Sequence, residues 1–202
     1  MQVFCRRAGK CSGKLYKISY ESGELQMQDA RPALPGRCYW VVAGRFLAGS
    51  FPYNPGIDNP HDFLHSLLDN GIDAFIDLTE EDELVHYQPV LAKLTAKDLL
   101  YRRFPIVDYS VATLAEMQQL VAHINQLLEE GRHVYLHCRG GIGRTGTVVG
   151  CWLRSQGHDG ESALAELANL FSASNAARFS RSPETEEQRE FVKSFVSAAS
   201  KP

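Results

Sequence analysis

The stretch HVYLHCRGGIGRTGTVVGCW, from His133 to Trp152, constrains the fold more than any other part of this sequence. Val134 to Leu136 is β-branched, aromatic and apolar, which predicts a short buried strand, and the apolar run from Thr147 to Leu153 predicts a helix. Glycines weaken both kinds of element, so the glycines between them need a specific reason. A strand, a glycine-rich loop and a helix together form an anion site, because the loop N–H groups converge and the helix N-terminus adds partial positive charge.

Length and charge limit what the whole chain can be. Its 202 residues, 44% of them hydrophobic, suffice for one well-buried domain and are few for two. The net charge of −3 gives no reason to expect nucleic acid or an anionic membrane surface as a partner. We find neither a run of the ~18–20 apolar residues that a membrane helix needs nor an apolar core for a signal peptide. We therefore expect no membrane segment. We also expect a cytoplasmic protein and a monomer.

Five cysteines are present, which is an odd number without paired spacing. They are Cys5, Cys11, Cys38, Cys138 and Cys151. This pattern favours free thiols in a reducing compartment. Cys5 and Cys11 are too few for a zinc site, and Cys151 is expected to be a core thiol on the helix after the glycine-rich loop.

The chain divides into an N-terminal arm, residues 1–36, and a main domain, residues 37–202. In the arm, Leu15 to Tyr20 and Leu25 to Gln28 flank Glu21-Ser22-Gly23 and predict a hairpin; a partly disordered tail is the alternative. The main domain is expected to hold the strand and helix described above.

Strand-like and helical patterns alternate along the main domain. Predicted strands are two runs around Gly44, then Ile72 to Leu78, Leu100 to Ile106, and Val134 to Leu136. Predicted helices cover Asp58–Asp69, a start at the capping-box spacing Thr79–Asp82, Thr113–Glu130, the stretch after the glycines, Ser162–Phe171 and Glu184–Ala199. This alternation predicts an α/β fold with a central, largely parallel sheet flanked by helices on both sides.

Cys138 is the candidate nucleophile of the glycine-rich loop. Helix N-termini and nearby cations lower a cysteine pKa from ~8.5 to roughly 3.5–7.5, and the loop offers both, with Arg144 six positions after the cysteine. A guanidinium matches phosphate oxygens bidentately, and Gly140, Gly141 and Gly143 let the backbone approach an anion closely. A lone cysteine is more often an inert buried residue, but the combined pattern favours a thiolate that attacks a tetrahedral dianion.

The motif HCRGGIGRTG resembles the H-C-x5-R-[ST]-G loop of the cysteine-dependent protein tyrosine phosphatases, and WVVAGRFLAGSFP upstream resembles their small dual-specificity branch. The resemblance runs from about Cys38 to Val196 and is strongest at the loop. It implies a protein tyrosine phosphatase-like fold, a cysteinyl-phosphate intermediate, and neither a metal nor a cofactor.

The same resemblance assigns roles within the loop. Cys138 is the nucleophile, His137 orders the loop, and the hydroxyl of Thr145 eases release of the thiolate. The expected substrate-binding residues are Arg139, Gly140, Gly141, Ile142, Gly143 and Arg144, which hold the phosphoryl group through their amides and the guanidinium.

Such a reaction needs an acid for the leaving oxygen. FPIVDYS places Asp108 in a loop after a predicted strand, 30 residues before Cys138, and resembles the family's acid-bearing loop, although no proline follows within the next few residues. The alternative is an aspartate that only forms a turn. Asp82 is the rival acid, but we assign it to the predicted capping box.

Gln188, in SPETEEQREF, is a candidate for placing the water that hydrolyses the intermediate, as a glutamine does in parts of this family. The alternative is a solvated glutamine on a helix face. Ser182 and Thr185 are expected to be helix-start residues around Pro183.

Three functions compete. The first is a phosphatase of phosphotyrosine, with phosphoserine and phosphothreonine as further targets, acting on a phosphoprotein or phosphopeptide. The second applies the same chemistry to inositol phosphates, phosphoinositides or other small phosphoesters. Lipid-directed members carry lysines where this chain has Arg139 and Ile142, which leans toward protein substrates. The third is an inactive phosphoprotein-binding module, against which the intact Cys138, Arg144 and Asp108 argue.

Overall fold

The computed structural model describes residues 16–21, 24–29 and 34–197. Two strands come first: β1 (Tyr16–Glu21) pairs antiparallel with β2 (Glu24–Asp29), as the hairpin interpretation predicts. Cys5 and Cys11 lie outside the described residues, and the boundary of the arm at residue 36 stays a prediction.

A five-stranded sheet forms the centre of the main domain. Its strands are β3 (Cys38–Val42), β4 (Phe46–Gly49), β5 (Ala74–Asp77), β6 (Leu100–Arg103) and β7 (Val134–His137). They lie in the order β3-β4-β7-β5-β6, with β3 antiparallel to β4 and the other three pairs parallel. The predicted central, largely parallel sheet is confirmed.

Helices cover both faces of this sheet, also as predicted. They are α1 (Asp62–Asp69), α2 (Gln88–Leu94), α3 (Leu114–Glu129), α4 (Gly143–Ser155), α5 (Gly160–Phe171) and α6 (Glu186–Ser194), with a short 3-10 helix at Asn175–Arg178. The larger apolar core lies under α3, α4, α5 and α6, and the smaller one lies under α1 and α2. Within the described residues, no helix is long and apolar enough to cross a membrane.

Three predicted helices differ in the structure. The helix predicted from Asp58 begins at Asp62, and the one predicted from Glu184 runs only over Glu186–Ser194. The prediction that a helix starts at Thr79 is wrong, because no helix begins there. The Thr79 hydroxyl donates to the Asp77 carboxylate at 2.7 Å, so it is not available to cap a helix. The next helix, α2, begins only at Gln88.

The sheet register sets where the loops meet. Gly49 and Asp77, the last residues of β4 and β5, both lie beside His137, the last residue of β7. Because these strands are parallel, the loops after them open at the same edge of the sheet, which is where open α/β sheets bind ligands. Cys138 is the first residue of the loop after β7.

Candidate active site

Cys138 lies at the bottom of a tight loop between β7 and α4. Its side chain is buried, and the Gly141 N–H donates to Sγ at 3.3 Å. Helix α4 begins at Gly143, so its first N–H groups have no partner within the helix and point toward the loop. The predicted sequence of strand, glycine loop and helix is present, and it places partial positive charge beside the thiol.

Gly141 makes this loop possible. Its φ of +73° lies in the left-handed region, and a Cβ there would fall on the backbone of Gly49 and Ser50. A side chain at this position would therefore push the loop off strand β4 and move the amide that faces Sγ.

The Arg144 guanidinium is fully buried and held along one edge by Glu83. Nη1 donates to Oε2 and Nη2 to Oε1 of that carboxylate, both at 2.7 Å. Nη1 also donates to the Ile106 carbonyl at 2.9 Å. Because a guanidinium is planar with five fixed donors, the only edge left for a ligand is the one formed by Nε and Nη2.

Asp108 occupies part of that remaining edge. Its Oδ1 lies 2.9 Å from Arg144 Nη2, whereas Nε is buried with no hydrogen-bond partner among the described residues. The structure thus brings together three of the residues predicted to be catalytic, Cys138, Arg144 and Asp108. Asp82, the rival acid, is exposed and lines a neighbouring cleft.

His137 lies in a buried polar network beneath the loop. Its Nε2 is 2.6 Å from the Tyr87 hydroxyl, and its Nδ1 is 3.3 Å from the Cys138 carbonyl oxygen. Burial lowers the pKa of His137 and outweighs the opposing effect of Asp77. These contacts suit the predicted loop-ordering role, because the imidazole joins the loop backbone to a side chain of the rigid core.

Asp77 anchors the other side of this network. It accepts from Thr79 and, at 2.6 Å, from the Tyr101 hydroxyl. Burial works to raise its pKa, but His137 and these hydrogen bonds bring the pKa below the usual range. The carboxylate therefore stays ionised beneath the site.

Glu83 is the main site residue that the sequence analysis missed. The hydrogen bonds from Arg144 lower the pKa of Glu83 despite its burial. The same contacts raise the pKa of Arg144, although burial alone would lower it. Glu83 stands among several carboxylates in TEEDEL, and no pattern in the sequence distinguishes the one that returns to the arginine.

The remaining loop residues differ in exposure. Arg139 and Gly140 are exposed, whereas Gly141, Gly143 and Thr145 are buried. The Thr145 hydroxyl donates to the Gly49 carbonyl at 3.5 Å, so its action on the thiolate stays a prediction. Within the described part of the chain, no cluster of His, Cys, Asp or Glu could hold a metal ion.

Gln188 is fully buried, so the interpretation as a solvated helix-face residue is wrong. Its Oε1 accepts from the N–H groups of Glu184 and Thr185, both at 3.1 Å, and its Nε2 donates to the Ser110 carbonyl at 3.2 Å. The side chain also lies against Gly143. It joins the start of α6 to both the phosphate loop and the Asp108 loop.

Of the two residues expected at the start of the last helix, one has that role and the other does not. Thr185 caps α6 in a capping box with Gln188, as predicted. Ser182 does not cap it; its hydroxyl donates to the Ile142 carbonyl at 2.7 Å and holds the glycine-rich loop.

Comparison with known proteins agrees with this geometry. The family model described as "Polymorphic toxin system, DSP-PTPase phosphatase" matches residues 53–158. The uncharacterized protein MJECL20 of Methanocaldococcus jannaschii is 34% identical over 92 residues, which are 46% of this chain and 56% of that protein. The chain thus spans about half the length of such curated relatives.

Solved structures share the fold over most of the chain. Tk-PTP in its active form is 25% identical, with a TM-score of 0.61 over 79% of this chain and 95% of that chain. PTPMT1 in complex with PI(5)P is 23% identical, with a TM-score of 0.59 over 78% of this chain and 93% of that chain. A structural similarity at this low sequence identity is evidence for a shared fold alone. The chain belongs to the DSP-PTPase phosphatase family of that model, as a small dual-specificity-like member of the cysteine-dependent protein tyrosine phosphatases.

Proposed function

We propose that the protein hydrolyses phosphotyrosine in proteins, with phosphoserine and phosphothreonine as further targets, through a phosphate ester on Cys138. The observation that carries the proposal is the convergence of Cys138, Arg144 and Asp108 at one edge of the sheet. Asp108 contacts Nη2 of Arg144, and the neighbouring Nε has no hydrogen-bond partner among the described residues. The free, buried Cys38, Cys138 and Cys151 suit a reducing, cytoplasmic setting.

The proposed reaction has two steps. The substrate phosphate takes the Nε–Nη2 edge of Arg144 and replaces the Asp108 carboxylate there. Sγ of Cys138 attacks phosphorus while protonated Asp108 gives its proton to the leaving oxygen. Water then attacks the cysteinyl phosphate, Asp108 accepts its proton, and Sγ leaves as the thiolate with help from Thr145. His137 and the amides of residues 139–144 hold the loop and the phosphoryl group throughout.

A substrate panel tests this function. We expect phosphotyrosine peptides to be hydrolysed with a higher kcat/KM than phosphoserine peptides, soluble inositol phosphates or phosphoinositides in vesicles, with EDTA present throughout. The apolar Ile142 and the carboxylates Glu81 and Asp82 near the phosphate loop favour a peptide over a polyanion. Preference for an inositol phosphate would replace the substrate class, and failure to hydrolyse p-nitrophenyl phosphate would support the binding module.

Asp108→Asn should reduce turnover of poor leaving groups far more than of activated aryl phosphates. General acid catalysis contributes roughly 10²–10⁴-fold, and an activated phenol leaves without it. The same variant should bind tungstate several-fold more tightly, because a neutral amide competes less for Arg144 Nη2 than the carboxylate now 2.9 Å away. Steady-state kinetics over a leaving-group series and tungstate inhibition measure both effects.

Asp82→Asn is the matched control for the acid, since Asp82 is the rival carboxylate and has no contact with Arg144. It should keep the wild-type dependence on the leaving group. Equal losses across leaving groups in Asp108→Asn, or a leaving-group effect in Asp82→Asn instead, would remove Asp108 from the acid role.

Gln188→Ala should slow the second step more than the first. One N–H of the Gln188 amide is engaged by Ser110 and its oxygen by two backbone N–H groups, so one donor is left to direct water. Rapid-quench kinetics should then show a larger burst of phenol, with phosphoenzyme detected by mass spectrometry. An unaltered burst with a lower overall rate would instead make Gln188 a positioning residue of the two loops.

A further inference from the structure

A cleft of about 680 Å³ adjoins the phosphate loop. It shares Arg139 and Glu83 with the catalytic site, so a substrate whose phosphate lies over Cys138 can extend into this cleft. A volume of this size accommodates more than a phosphate group. What lines the cleft therefore bears on which substrate the enzyme selects.

Two arginines on one wall of the cleft are held side by side by the backbone. The Ser50 N–H donates to the Arg37 carbonyl at 3.2 Å, and the Phe51 N–H donates to the Arg139 carbonyl at 3.0 Å. Arg37 and Arg139 thus flank the same two-residue segment, and both side chains line the cleft and are exposed. Their common position on the rim comes from the β3–β4–β7 ladder and not from mobile side chains alone.

Among the described residues, Arg37, Arg139 and Ser50 all keep hydrogen-bonding groups that could bind a ligand. Arg139 Nε lies 3.7 Å from Glu83, but both oxygens of that carboxylate already accept from Arg144. The Ser50 hydroxyl is buried and lacks a hydrogen-bond partner among the described residues. A buried hydroxyl of this kind needs a partner, and an anion in the cleft that Ser50 lines would supply one once the side chain turns toward it.

The lining of the cleft also includes negative charge. Glu81 is neutralised by Arg103 at 3.1 Å and lies 3.6 Å from His86, whereas the exposed Asp82 remains. Phe51, Tyr53 and Val85 add aromatic and apolar surface to the lining. One acidic group on an otherwise neutral or apolar chain fits this lining, while a ring carrying several phosphates would meet Asp82.

We propose that Arg37, with Arg139 and Ser50, binds an acidic side chain next to the phosphotyrosine of a peptide substrate. This inference rests on the proposed function, since it names the sequence context that the same site selects. Arg37 is then a specificity-determining residue, because it touches the substrate away from the phosphorus atom.

The test uses phosphotyrosine peptides in which a single glutamate is stepped through the three positions on either side, each compared with glutamine at the same position. At one or two positions, wild type should favour glutamate by about three- to fivefold in kcat/KM, as for an exposed ion pair. The preference should shrink as salt rises. Arg37→Gln should abolish it, and Arg37→Glu should reverse it toward a peptide with lysine at that position.

Arg181→Gln is the matched control, because Arg181 is an exposed arginine paired with Glu186 outside the cleft. It should keep the wild-type ratio. Equal hydrolysis of glutamate and glutamine peptides by wild type would overturn the subsite while leaving the proposed function supported. A preference for inositol bisphosphates that Arg37→Gln removes would overturn the peptide assignment. Hydrolysis of p-nitrophenyl phosphate with no peptide hydrolysed would contradict the proposed function itself, and the subsite with it.

Discussion

Cys138→Ser should abolish turnover, with a fall in kcat of about 10⁴-fold or more, as expected when a covalent nucleophile is lost. A serine hydroxyl is not ionised near neutral pH, so it cannot act as the proposed nucleophile beside the Gly141 amide and the start of α4. Phosphate binding should persist, because Arg144 and the loop amides remain. Stopped assays with p-nitrophenyl phosphate and a titration with tungstate measure the two properties separately.

Cys151→Ser provides the matched control on the helix that follows. This thiol is fully buried in the larger core, and burial raises its pKa, so it has no nucleophilic role to lose. The variant should lose some thermal stability and keep its activity per folded molecule. Wild type should be inhibited by vanadate and unaffected by EDTA. Activity that survives in Cys138→Ser, or that EDTA removes from wild type, would refute the covalent mechanism.

The glycine-rich loop could be predicted from the sequence because local chemistry determines it. Glycines, a thiol and an arginine within ten residues, placed between a β-branched run and a helical run, leave few alternatives for the backbone. Thr113 was predictable for the same reason: it caps α3 in a capping box with Glu116, and both partners lie within one turn. In these two features the partners are neighbours in the sequence, and the folded structure keeps them.

The features that complete the site were not predictable, because they depend on burial or on contacts between distant parts of the chain. Thr79 has a capping-box spacing, yet the buried Asp77 competes for its hydroxyl and the helix does not form. Glu83 reaches Arg144 only because the segment after β5 returns across the sheet edge. The sequence around Gln188 is typical of the exposed face of an acidic helix. In the structure the N-terminus of α6 packs against the Asp108 loop, and this contact buries Gln188.

Arg144→Lys should lower kcat/KM by roughly 10²-fold or more, about 2.7 kcal/mol of transition-state stabilisation, as for loss of one preorganised oxyanion ligand. The guanidinium binds Glu83 along one edge and presents Nε and Nη2 along another. A lysine ammonium is a compact charge without the two hydrogen-bonding edges of a guanidinium. It therefore cannot bind Glu83 and a phosphate in the same bidentate way at the same time. Kinetics with p-nitrophenyl phosphate and a phosphotyrosine peptide measure the loss.

The same substitution should also change how stability depends on pH. Arg144 lowers the pKa of Glu83 in the folded protein, so this pair stabilises the fold above the unfolded pKa of a glutamate and less as pH falls through the folded value. Arg144→Lys weakens that contribution. The gap in unfolding free energy between wild type and variant should therefore be largest near neutral pH and narrow in acid, as chemical denaturation at several pH values would show.

Arg154→Lys separates the loss of a guanidinium from the loss of this particular one. Arg154 lies on the same helix, and its side chain donates to the carbonyls of Phe195 and His158 away from the site. We expect this variant to lose stability without losing kcat/KM, because the guanidinium ties the end of α4 to the turn before α5 and to the chain after α6. If Arg144→Lys costs less than tenfold in kcat/KM while remaining folded, the Nε–Nη2 edge is not where phosphate binds. Asp108 would then rest on Arg144 as a structural ion pair, and the acid would have to be sought among the carboxylates of the neighbouring cleft.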